Sequence, residues 1–265
     1  MTPGITQKLL RYQLSNVVRS KWLIGYAAFH LLTTDALLRF GGDPAAVLLS
    51  LINVVLLVIP LVAIVFGTMY LYDAREFTEL LLAQPVTRRQ LFGGLYLGLT
   101  LPLAGAFAVG VGAPLVLRAA LDARLWTSLL TLIGVGGALT FVFTALAFLI
   151  AVRSEDRVRG LGAGVGLWLL FAVAYDGAVL ILASMFSDYP LERPLLAAML
   201  ANPVDMGRVV LLLRFDVSAL MGYTGAVFKR FFGSTAGALT AAGALLAWAG
   251  VPMWLASRAF RRKSF

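Results

Sequence analysis

Six apolar stretches recur along the chain, at residues 22–40, 47–71, 91–117, 125–152, 161–186 and 233–255. At about 1.5 Å of rise per residue, a helix over each one matches a hydrocarbon layer about 30 Å thick. The pattern predicts an all-α integral membrane protein with six transmembrane helices, in one domain over residues 22–265. Glycine recurs within the spans at four-residue spacing, at Gly94 and Gly98, Gly160 and Gly164, and Gly162 and Gly166. Such spacing lets helices approach closely and predicts a packed bundle.

The segments between the spans have patterns of their own. Residues 1–21 are too polar to cross a membrane, yet Lys8, Arg11, Ser15 and Arg19 share one helical face. This predicts an amphipathic helix on the membrane surface, with a plain cytoplasmic lead-in as the alternative. The connection 187–232 mixes Pro190, Pro194 and Pro203 with apolar runs at 209–213 and 220–223. It is too apolar for a free loop and predicts short helices packed against the outer membrane surface or dipping into it. There they would present Asp205, Arg208 and Asp216 to an external partner, or cover the bundle as a lid.

Composition agrees with a bilayer setting. Hydrophobic residues make up 60% of the chain and charged ones 13%, where soluble domains are about half apolar and roughly a quarter charged. The net charge is +9, but Lys and Arg lie in short clusters between apolar runs. That favours membrane topology over nucleic-acid binding. With the N-terminus inside, the cytoplasmic segments hold 14 of the 22 Lys and Arg residues, including Arg75, Arg88, Arg89, Arg153, Arg157, Arg159, Arg258 and Arg261. Both termini are therefore expected in the cytoplasm, the long connection 187–232 outside, and the first span retained rather than cleaved.

Little residue chemistry suits catalysis or metal binding. The chain has no cysteine and His30 is its one histidine. The seven methionines are scattered without the close spacing of a Cu(I) site, and read as apolar filling. Asp176 lies well inside the fifth span, where an ionised carboxylate costs about 3 kcal/mol on insertion scales unless paired or hydrated. With no Lys or Arg evident at its depth, it is expected to be protonated, hydrogen-bonded to a neighbouring helix, or facing a wet cavity. A structural hydrogen bond and a place in a substrate pathway both stay open.

The inner loop 72–89 has a charged start, an apolar ridge and a proline break. Asp73, Glu76 and Glu79 fall on one side of a short amphipathic helix over 72–86, Leu80, Leu81 and Leu82 supply apolar surface, and Gln84-Pro85 ends it. Such a helix could dock into a groove on a partner; an ordinary solvated loop is the alternative. Glu76-Phe77, Glu79-Leu80-Leu81-Leu82, Gln84-Pro85 and Arg88, following the second span, resemble the coupling-helix region of ABC-2 type permeases. The fifth span around Tyr175-Asp176 and the stretch from Asn202 to Arg208 resemble the branch of that family serving maturation of the copper-sulfur site of nitrous oxide reductase.

The resemblance implies an ABC-2 (type V) exporter-like fold and a homodimer in a bacterial or archaeal cytoplasmic (inner) membrane. It implies two copies of a cytoplasmic ABC ATPase, docked at Tyr72, Asp73, Arg75, Glu76, Glu79, Gln84, Pro85 and Arg88. A periplasmic protein would meet Asn202, Pro203, Asp205 and Arg208. Met206-Gly207 departs from the family pattern there, which weakens the outer-partner assignment most. A P-loop needs G-x-x-x-x-G-K-[ST], and Lys8, Lys21, Lys229 and Lys263, the only lysines, lie in no such context. ATP and magnesium would thus be bound by the partner, leaving no cofactor or metal in this chain. Other readings are export of a lipid, glycan or drug, and a non-transporting scaffold for a periplasmic partner.

Overall fold

The computed structural model describes residues 14, 17–41, 43–82, 87–119, 121–186, 189, 191–214 and 235–262, without the side chains of Glu76, Leu82, Glu192 and Thr235. Helices run over every apolar stretch: α1 (Lys21–Gly41), α2 (Pro44–Asp73), α4 (Arg88–Arg118), α5 (Ala123–Arg153) and α10 (Thr235–Arg262). The fifth stretch is α6 (Arg157–Leu169), a π-turn (Leu170–Ala174) and α7 (Tyr175–Met185) in continuation. Between them lie the short helices α3 (Arg75–Leu82), α8 (Glu192–Leu200) and α9 (Pro203–Arg214). Among the described residues all regular structure is helical. The surface helix expected over 1–21 falls mostly outside the described residues.

Side-chain caps set where the long helices begin. Asp43, with Pro44 behind it, accepts from Ala45 N at 3.2 Å. Thr87 and Gln90 form a reciprocal capping box, and the Asp122 and Asp156 carboxylates accept from Leu125 N and Arg159 N, each at 2.7 Å. Each cap satisfies backbone donors that the first helical turn leaves free.

Five helices are long and apolar enough to cross a membrane, namely α2, α4, α5, Arg157–Met185 and Ala236–Arg262. At 21 residues α1 is long enough, but Lys21, His30, Asp35 and Arg39 make it less apolar, and it is not among the five. Arg193–Leu200 and Pro203–Arg214 would together be apolar enough, but they bend by 111° into a hairpin. In the connection 187–232, residues 192–200 and 203–214 form short helices, and residues 215–232, Asp216 included, lie outside the described residues.

The bundle is organised around α5, which packs on α2, α4, α6, α9 and α10, while α1 lies along α4. Phe107, Phe143 and Phe148 are fully buried at these crossings. By contrast the span Arg157–Met185 and α10 are mostly exposed, showing Leu180, Ile181, Leu246 and Trp254 to lipid or to another chain. Of the three glycine pairs, Gly94 with Gly98 and Gly160 with Gly164 are buried, whereas Gly162 and Gly166 face open space.

At Gly136 the crossing of α5 tolerates no side chain, since a Cβ there would overlap Phe107 Cε1 and lie 2.9 Å from Ile59 Cδ1. Gly136→Ala is expected to destabilise the chain by about 1–3 kcal/mol through overpacking. Gly134→Ala, two residues away with nothing within 4 Å, is the matched control. Thermal unfolding in detergent checks the pair: the first variant unfolds at a lower temperature and the second does not.

Candidate functional site

Two clusters lie along the fifth span, one at its first turn and one from its midpoint onward. The first starts at the end of α2, which continues through Tyr72 and Asp73 and is capped at Ala74. These two residues therefore belong to the second span's helix, a correction to the amphipathic helix expected over 72–86. The short helix proper, α3, starts at Arg75. Residues 83–86, with Gln84 and Pro85, lie outside the described residues, as does the Glu76 side chain.

The Tyr72 hydroxyl donates toward the carbonyls of Ser154 (3.0 Å) and Asp156 (3.1 Å), in the turn joining α5 to α6. Beside it the Asp73 carboxylate meets Arg157 at 3.0 Å. Both partners of this pair are at least half exposed, so it adds well under about 1 kcal/mol and acts mainly to fix geometry. Arg157 Nε also reaches Met69 Sδ at 3.3 Å, and Arg75 lies over the Tyr72 ring. Gly160, buried on the first turn of α6, leaves room for the Tyr72 phenol: a Cβ there would overlap Oη and stand 2.9 Å from Cζ.

From this clamp α3 turns away. Thr78 is buried and Leu81 packs on the core, whereas Glu79 is exposed and Leu80 is 71% exposed. Leu80 is thus the apolar residue that α3 offers outward. Arg88, at the start of α4, donates to the Arg261 carbonyl at 3.0 Å and ties α4 to the end of α10. Beside the clamp opens a cleft of about 880 Å³ lined by Trp22, Leu23, Phe66, Tyr70 and Leu103, with Arg19, Asp73 and Arg157 at its polar end.

The second cluster corrects the expectation that Asp176 finds no cation at its depth. Arg208, on α9, reaches the Asp176 carboxylate at 2.5 Å and that of Asp205 at 3.0 Å. The cation comes from the connection, whose helices fold back onto the span. Asn202, fully buried at the bend between α8 and α9, donates to Asp205 Oδ2 and to the Phe171 carbonyl, both at 2.9 Å, and accepts from Val204 N. The Tyr175 hydroxyl donates to the Ala198 carbonyl at 2.7 Å. Asn202, Pro203 and Asp205 are buried and Arg208 is half-buried, so the stretch expected to present Asp205 outward holds the hairpin onto the span instead.

The π-turn explains the Asn202 contact. In an α-helix the amide of Tyr175 would serve the carbonyl of Phe171; here it reaches Leu170 O. The Asn202 amide takes the place of the missing donor, as a buried carbonyl in an apolar setting requires. No sequence signal announces the π-turn, and the pairing of Arg208 with Asp176 is hidden because Arg208 lies in the connection and not in a span.

A bundle with five helices long and apolar enough to cross a membrane, and a short amphipathic helix after α2, has the make-up of a multi-pass membrane protein. Residues 27–265 match the ABC-2 family transporter protein family, and the chain belongs to that family. It is a multi-pass membrane permease of an ABC transporter. It is 29% identical over 275 residues to the probable ABC transporter permease protein NosY of Pseudomonas aeruginosa, covering 96% of this chain and 97% of that protein. It is 27% identical over 277 residues to the protein of the same name from Stutzerimonas stutzeri, with the same coverage of both chains.

The ion cluster yields an energetic ordering. Arg208→Ala removes the partner of two carboxylates, one of them on the buried Asp205, and is expected to destabilise the fold by about 1–3 kcal/mol. Asp176→Asn keeps an acceptor facing Arg208 and should cost less. Denaturant unfolding in detergent ranks the two; equal or reversed costs would contradict the pairing.

Proposed function

We propose that this chain is the membrane half of an ATP-driven machine, six spans with α1 as the first, both termini cytoplasmic, working as a homodimer in the inner membrane. A separate ABC ATPase binds ATP and magnesium and docks on α3 and its flanks, where Arg75, Glu76, Glu79, Gln84, Pro85 and Arg88 meet it. Tyr72 and Asp73 lie just behind, and carry its motion into the bundle. The observation that carries this reading is α3 itself: an eight-residue helix between α2 and α4, Leu80 and Glu79 outward, joined through one residue to the Tyr72 clamp.

The likeness to NosY supports the further step that the machine serves maturation of the copper-sulfur site of nitrous oxide reductase. A periplasmic protein would then engage the outer hairpin, whose Arg193 and Pro194 are exposed. Asn202, Pro203, Asp205 and Arg208 would act on that protein by holding the hairpin in place. One observation favours a second reading, export of an amphipathic molecule: the cleft beside the clamp has apolar walls and a charged end. Stimulation of ATP hydrolysis by an acidic phospholipid, and none by the periplasmic protein, would select it.

Co-purification tests the docking site. Co-expressed with its ATPase, the native chain is expected to retain it through affinity capture. Leu80→Asp, or Glu79→Arg with Pro85→Ala, is expected to lower retention on the order of tenfold, about 1.4 kcal/mol. Undiminished retention in these variants would place the ATPase elsewhere.

A further inference from the structure

We propose that Gly160 and Asn202 are positioning residues that make the span Arg157–Met185 a transmission rod, joined to the coupling helix at its first turn and to the α8–α9 hairpin from its midpoint onward. The proposal rests on the ATPase-coupled reading above and names the route by which motion at α3 reaches the far side of the membrane.

Three observations carry it. First, the rod is weakly embedded along its length. Most of its residues are exposed, and its described side contacts run chiefly along α2, where Gly164 faces Thr68 and Ile64 and Trp168 Nε1 donates to Leu57 O at 3.1 Å. Its position therefore depends on its ends more than that of a central helix such as α5 does.

Second, the inner end is keyed to the residues that precede α3. Tyr72 holds the turn that starts the rod through two carbonyls, Asp73 holds Arg157, and Gly160 is the socket in which the Tyr72 phenol sits. A displacement of α3 passes through Ala74 to Tyr72, and the close fit at Gly160 leaves no slack before the rod must follow. Packed contacts of this kind transmit displacement because they cannot deform continuously.

Third, the middle and second half of the rod are held at three points by the α8–α9 hairpin, which also packs on α2, α5 and α10. Asn202 holds the Phe171 carbonyl, Tyr175 holds the Ala198 carbonyl, and Asp176 holds Arg208. The Asn202 contact falls on the π-turn, where one backbone bond has already shifted register. Such turns are sites at which a helix can change register, and many lie at functional positions. Asn202 stabilises the shifted register by supplying the donor that Phe171 O lacks, so the setting of the rod and the seating of the hairpin are linked.

The test uses the full chain in complex with its ATPase, in lipid vesicles. Because the chain has no cysteine, Arg193→Cys gives one reporter on the hairpin for a membrane-impermeant maleimide. With Mg-ATP the alkylation rate is expected to change by roughly threefold or more, a modest population shift. Gly160→Ala and Asn202→Ala are expected to abolish that change while the complex still assembles and hydrolyses ATP. Gly162→Ala, on the same helix with nothing within 4 Å, is expected to respond like the parent. If Gly160→Ala does not fold, Tyr72→Phe, which keeps the ring and loses both hydrogen bonds, reads the inner joint in its place. A full response in the Gly160, Tyr72 and Asn202 variants would overturn the rod, as would a parent complex that hydrolyses ATP with no change at Arg193→Cys. Failure of the parent chain to bind the ATPase at all would instead overturn the function proposed above.

Discussion

A backbone carbonyl in hydrocarbon has no water to turn to, so it must find a donor within the protein. Helices satisfy that demand within themselves, and a carbonyl's second lone pair can take a side-chain donor that joins one helix to the next. Tyr96 donates to Phe141 O at 2.8 Å, Trp168 to Leu57 O, and Trp248 to Leu200 O at 3.0 Å. Tyr72, Tyr175 and Asn202 do the same at the start and along the second half of the fifth span. Each is a long or amide side chain reaching a neighbouring main chain, a tie that depends on relative helix position and not on the identity of the residue it meets. The joints of the bundle are therefore geometric, which suits a molecule that passes on movement.

The same constraint explains why the two functional clusters differ. At the first turn of the span the ion pair of Asp73 with Arg157 is exposed and weak, and the clamp relies on the Tyr72 hydroxyl and the fit at Gly160. In its second half the charges of Asp176, Asp205 and Arg208 are partly withdrawn from water. There an unpaired carboxylate would be costly, so the hairpin brings its own cation and its own amide. Folding α8 and α9 back onto the span both neutralises Asp176 and supplies Phe171 O with a donor.

Much of the bundle was legible in the sequence because lipid imposes a simple rule, and apolar runs such as 47–71 and 125–152 became α2 and α5 with ends shifted by a few residues. Pro44 and Pro203 stand at helix starts while Pro60, Pro102, Pro114 and Pro252 lie inside helices, and the short helix after α2 followed from its charge pattern. What stayed hidden depended on contacts between distant segments. Nothing near Asp176 in sequence reveals Arg208, 32 residues later. Nothing near Gly160 reveals that it accommodates Tyr72, and the spacing that singled it out singled out Gly162 equally, which faces open space. Periodicity likewise cannot show a π-turn, because one inserted residue leaves the apolar pattern of a fully apolar span unchanged.

The account depends on the clamp and the exposed start of the α8–α9 hairpin facing opposite sides of the membrane, joined by one span. Sidedness of alkylation tests this directly, with single cysteines at Glu155, exposed in the turn held by Tyr72, and at Arg193, exposed on the hairpin. In sealed vesicles of known orientation, a membrane-impermeant maleimide should modify Glu155→Cys only from the cytoplasmic face and Arg193→Cys only from the outer face. Modification of both from the same face would contradict the account, because the fifth span would then not connect two sides.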